Sequence, residues 1–69
     1  MTALRQVTRE EFFAPIYAKG LDVHPSIVTA HYPYTSEWRF HRQFGTPLFG
    51  KTVGRIEGGL AVKDYYLAA

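Results

Sequence analysis

Gly45 to Thr52, GTPLFGKT, matches the pattern G-x-x-x-x-G-K-[ST] letter for letter. That spacing suits phosphate binding. Backbone N–H groups cradle the phosphates, the lysine reaches the terminal ones, and the hydroxyl holds magnesium. The chemistry needs a strand before the loop and a helix after it. Here the residues after Thr52 are Val53, Gly54, Arg55, Ile56, Glu57, Gly58 and Gly59. Rich in glycine and β-branched side chains, they make a poor helix. The motif also belongs to a parallel sheet with crossover helices, and the remaining chain is too short to supply one. The same letters read better as a Gly45-Thr46-Pro47 turn between two antiparallel strands.

Other reactive side chains are scattered. His24, His31 and His41 are spaced by seven and ten residues, which matches no common zinc pattern. Asp22 and His24 could offer two ligands, but nothing completes a set. Ser26 and Ser36 lie in no nucleophile-elbow context. A chain this small has little room for both a core and a substrate cavity. The sequence therefore predicts no catalytic residues, no metal and no cofactor.

The composition bounds the rest. The chain has 69 residues, enough for one small domain spanning residues 1–69. A domain of about 60 residues buries only about 60% of the surface its unfolded chain exposes, so a partner or a second copy can add stability. There are no cysteines, hence no disulfide framework, and a reducing cytoplasm is the expected compartment. The segment MTALRQVTRE has no long apolar core, and no run of about 18 apolar residues occurs. The expectation is neither a secretory signal nor a membrane span. Hydrophobic residues make up 46% and aromatics 16%, which suits a packed core rather than disorder. The net charge of +2 permits an anionic partner without demanding one and argues against an acidic DNA mimic.

Several elements must position these residues. Thr8 followed by Glu11 is a capping box, and Val7 with Phe12 is a hydrophobic staple. They start a helix over about residues 9–19. Phe12, Phe13, Ile16 and Tyr17 form its apolar stripe, and Gly20 ends it. Pro15 either kinks that helix or splits it. Leu21 to Pro25 reads as a linker. Ser26 to His31 reads as a strand, with a short helix opening at Pro25 as the alternative. Tyr32-Pro33-Tyr34 is a turn or loop. From Thr35 to Phe44 the residues alternate with period 2, broken only by Arg42. Leu48 to Ile56 and Leu60 to Leu67 follow as strands around Glu57-Gly58-Gly59.

With three-residue loops at both turns, one face collects Trp38, Phe40, Phe44, Leu48, Ile56, Leu60, Val62 and Tyr66. Gly50, Thr52 and Gly54 lie beneath them. The other face collects Glu37, Arg39, His41, Gln43, Lys51, Arg55, Lys63 and Tyr65, with Glu37 opposite Arg55. Asp64 and Arg42 then fall on the apolar face. A two-residue Gly58-Gly59 turn is the alternative for the last strand. The predicted fold is α+β, one N-terminal helix packed on a three- to four-stranded antiparallel meander sheet. The C-terminal strand is expected at an exposed edge, where pairing would make a homodimer.

The candidate contact surface is the basic face of Arg39, His41, Lys51, Arg55 and Lys63, joined by Tyr32 and Tyr34 of the Tyr-Pro-Tyr loop. Tyrosines in a proline-stiffened loop offer large contact area at low entropy cost. The size and the lack of a catalytic constellation resemble those of small accessory proteins of phages and mobile elements. Many such proteins bind and block a host protein, and no residue is assigned on that ground. The expected function is a non-enzymatic module that engages a larger host or partner protein with an acidic surface, with inhibition as one form of that engagement. A nucleic-acid binder using the same face and a structural homo-oligomer are the alternatives.

Overall fold

The computed structural model describes residues 3–31, 33–40 and 47–68. Over these described residues it is an α+β domain of one helix and five antiparallel strands. The elements run β1 (Leu4–Val7), α1 (Arg9–Lys19), β2 (Val23–Ile27), β3 (Tyr34–Phe40), β4 (Leu48–Glu57) and β5 (Leu60–Ala68). In space the strands order as β1-β5-β4-β3-β2. Strands β2 to β5 form a meander, and β1 adds to the far side of β5.

The helix begins and ends where its signals place it. Thr8 Oγ1 accepts from the Glu11 N–H, and the Thr8 N–H donates to the Glu11 carboxylate. Two orphan donors are satisfied reciprocally. Gly20 closes the helix in the left-handed region with φ 61°, donating to the Ile16 carbonyl. Pro15 lies inside one continuous helix. Because β1 and β2 are the two sheet edges, α1 must carry the chain across the sheet. Five strands about 4.8 Å apart span about 19 Å, and an eleven-residue helix spans about 16 Å. Helix length therefore matches sheet width.

Phe12 anchors the packing. It is fully buried, with ring centroids 5.4 Å from Trp38, 5.3 Å from Phe49 and 5.4 Å from Tyr65. Val7, Val23 and Phe49 complete the buried core, with Phe13, Ile16, Leu21, Trp38, Phe40, Tyr65 and Leu67 packed against it. Tyr17, expected in the apolar stripe, is 80% exposed and stacks on Phe13 instead. Under Phe12 the sheet is bare at Gly50. A Cβ there would lie 2.8 Å from the Phe12 ring and 2.4 Å from the Tyr66 carbonyl oxygen. Glycine is what lets the helix sit this close.

Four departures from the sequence reading have identifiable causes. The sheet has five strands because Leu4–Val7 pairs with Val7↔Tyr65 and Leu4↔Ala68. This pairing puts β5 inside the sheet rather than at its edge. Second, β2 runs Val23–Ile27 rather than Ser26–His31. Pro25 is tolerated there because β2 is an edge strand. Third, the β4–β5 turn is the two-residue one, with Glu57↔Leu60 paired and positive φ at Gly58 (57°) and Gly59 (80°), as a type I′ turn requires. That register turns Ala61, Lys63, Tyr65 and Leu67 toward the helix and Leu60, Val62, Asp64 and Tyr66 away from it. Fourth, the β3–β4 register shifts after Trp38↔Gly50, so that Arg39 pairs with Leu48. The extra residue, Phe49, is thereby delivered to the core where Leu48 was expected. Gly45, Thr46, Arg42 and Phe44 lie outside the described residues. Gly50, Lys51 and Thr52 lie inside the ten-residue strand β4, whose geometry is incompatible with a phosphate loop opening a helix.

Candidate functional site

Of the predicted basic face, Arg39, Lys51 and Arg55 share one side of β3 and β4, interleaved with carboxylates. Arg39 pairs with Glu37 at 3.3 Å. Arg55 donates from Nε to Asp64 at 2.7 Å and also contacts Glu57. Glu37 lies opposite Lys51 in the register rather than opposite Arg55. The Arg55 guanidinium bonded to Asp64 holds that carboxyl below its ordinary range, and Asp64 in turn raises Arg55. Asp64 is here the partner of Arg55 rather than a flaw on the apolar face. Across a strand from these residues, His24 contacts Asp22. Tyr32 and His41 lie outside the described residues.

Lys63 is not part of that face. Paired with Gly54, it projects on the helix side, as does Tyr34, which also pairs with Gly54. The two residues meet in a trough of about 420 Å³ lined by Ile27, Tyr34, Ser36, Thr52, Ala61 and Lys63. The trough occupies the part of the helix-side face that α1 leaves uncovered. Thr52 is its innermost wall. It is buried, and its hydroxyl accepts the Trp38 indole N–H at 3.1 Å, which ties the trough to the aromatic core. Large apolar side chains of its lining remain in solvent, with Ile27 70% exposed and Tyr34 39%, and Ile56, paired with the lining residue Ala61, is 54% exposed.

Comparison with protein families, with curated proteins and with solved structures finds no match. The chemistry of the chain's own surface must carry the functional reading.

Among the described residues no group of three or more His, Asp or Glu side chains could hold a metal ion, and no helix is long and apolar enough to cross a membrane. The trough instead offers aliphatic surface, the hydroxyls of Ser36 and Tyr34, and one ammonium group. Sequence reasoning named Tyr34 and Lys63 as parts of one contact surface, with Tyr34 in a loop and Lys63 on the basic face of the sheet. It missed Ile27, Ser36 and Ala61. The signal that could have united them was the Gly58-Gly59 pair, since a two-residue turn brings Lys63 to the face of Tyr34.

Proposed function

We propose that this chain is a non-enzymatic binding module that engages a larger protein through the uncovered half of its helix-side face. The observation that carries this reading is the exposure of Ile27 and Tyr34 in the lining of an open trough, with Ile56 exposed beside Ala61 on the same face. Contiguous exposed apolar surface rimmed by polar groups marks protein contact sites. Tyr34 adds the residue type enriched where interfaces concentrate their energy. The trough is open along the sheet, whereas small-molecule sites enclose most of their ligand. The opposite face suits nucleic acid less well. Phosphate binding draws on unneutralised cations, and Arg39 and Arg55 are engaged by Glu37, Asp64 and Glu57.

The test begins with capture from a nuclease-treated lysate, identification of the captured protein and its purification. Its affinity is then measured for the wild type, for Ile27→Asp with Ile56→Asp, and for Arg39→Glu with Arg55→Glu. The first pair should weaken binding by about tenfold or more, and the second should change it little. An unaffected affinity in the Ile27/Ile56 variant, with its melting transition intact, would reject this surface. Light scattering distinguishes a second copy of the chain as the occupant.

A further inference from the structure

We infer that the trough receives a partner segment that brings an aliphatic side chain together with a carboxylate, the carboxylate pairing with Lys63. This rests on the docking surface proposed above and names its complement.

Lys63 is exposed on the helix-side face, and its ammonium has no carboxylate partner among the described residues. The other lining residues, Ile27, Tyr34, Ser36, Thr52, Gly54, Ala61 and Val62, carry no charge. The acidic groups of the sheet, Glu37, Glu57 and Asp64, alternate onto the opposite face, where they meet Arg39 and Arg55. The trough is thus apolar surface with one positive charge. An occupant that covered it without an anion would strip water from an ammonium and leave it uncompensated. One that brought a carboxylate would make a charge-assisted hydrogen bond.

The sheet edge also constrains how the segment lies. The Val28 N–H donates to Thr35 O at 2.8 Å, so Val28, Ser26 and His24 direct their backbone groups toward β3. Val23, Pro25 and Ile27 therefore direct theirs to the free edge. Pro25 has no N–H, and it sits at the centre of that edge. An added strand would lose its middle donor, so extension of the sheet at β2 is blocked. The segment is held by its side chains across the face.

The experiment selects a random twelve-residue displayed peptide library on the immobilised wild type, with depletion on Ile27→Asp. Enriched sequences should carry Asp or Glu within two or three positions of Leu, Ile, Val or Phe. Synthetic versions should bind Lys63→Met about tenfold more weakly and Lys63→Glu more weakly still. Selection on Lys63→Glu should enrich Lys or Arg in place of the acid. Peptides that distinguish wild type from Ile27→Asp but lack an acid, and that ignore Lys63→Met, overturn this inference alone. If no peptide distinguishes those two proteins, the docking surface itself fails. Sodium 4-methylpentanoate is titrated in parallel and followed by amide shifts. Saturation of the trough by this acid, with no peptide enriched, would overturn the inference in favour of a small carboxylate ligand.

Discussion

The helix-side face of the sheet is continuous along β3, β4 and β5, yet its two halves are finished differently. At one end Phe12 fills the space between Trp38, Phe49 and Tyr65 and presses onto Gly50. At the other, Ile27 and Tyr34 stand exposed in the trough that holds Lys63. The difference follows from dimensions. The helix must join the outer strands β1 and β2, and eleven residues just suffice to cross the sheet. Strand β4 has ten residues and runs about 33 Å, whereas a helix with its side chains is about 10–12 Å across. One crossing helix cannot cover both halves. A covered half and an open half thus come from the same strands.

The strongest way to break this comparison is to empty the covered half. Phe12→Ala should cost about 3–5 kcal/mol, a large fraction of the stability available to a domain of this size. Ile27→Ala in the open half should stay within about 0.5 kcal/mol of wild type. Urea denaturation followed by tryptophan fluorescence measures both, since Trp38 lies against Phe12. Equal losses at the two sites would mean that the halves are not energetically distinct.

Gly50→Ala sharpens the comparison by overfilling the covered half. The added methyl meets the Phe12 ring and the Tyr66 carbonyl, and the latter is backbone and cannot swing aside. The expected loss is about 1–3 kcal/mol. The double variant Gly50→Ala with Phe12→Leu should recover part of it, because the smaller side chain relieves one of the two contacts. Denaturation midpoints of the single and double variants decide this, and strict additivity would argue that Phe12 and Gly50 do not share one contact.

Much of this division was legible in the sequence, and its limits are physical. The helix bounds were readable because Thr8, Glu11 and Gly20 are local signals that tertiary packing did not override. The facing of β3 against β4 was readable from period-2 alternation at Trp38, Phe40, Glu37 and Arg39. Part of what failed depended on one-residue differences, whereas the β3–β4 pairing lies four residues from the expected one, with Glu37 opposite Lys51 instead of Arg55. Choosing three residues rather than two at Gly58-Gly59 reverses every side chain of β5, so Lys63 and Tyr65 were placed opposite to where they lie. The bulge that turns Phe49 inward leaves no mark in alternation alone. Strand β1 is four residues long, too short for a periodic signal, and its Val7 serves the helix staple and the sheet together. The candidate site was half visible. Tyr34 and Lys63 were named as contact residues, but their meeting in one trough required the correct turn.

The smallest expected effect comes from acid, and it touches the two halves unequally. The Thr8 N–H and hydroxyl bonded to Glu11 hold that carboxyl below its ordinary value of 4.5, and Arg55 holds Asp64 below 3.8. In both cases the folded state binds its proton less readily than the unfolded chain. The stabilisation is therefore complete above those ordinary values and is lost as pH falls through the lower folded ones. Glu11 is exposed, so the loss at the helix start should be small. Glu11 secures the start of the helix, so acid loosens the cover over Phe12. The lining of the trough contains no carboxylate, so its own surface is unchanged in this range. Native-state hydrogen exchange should show protection falling first at the Glu11 and Phe12 amides as pH drops below about 4. The strand amides of Ser36, Thr52 and Lys63 should hold until global unfolding. Glu11→Gln, which keeps an oxygen acceptor but cannot ionise, should flatten the pH dependence at the helix start and leave the strand amides as they were. Simultaneous loss at both sets of amides in the wild type would show that the covered and open halves unfold as one unit, and the comparison would then be one of surface chemistry only.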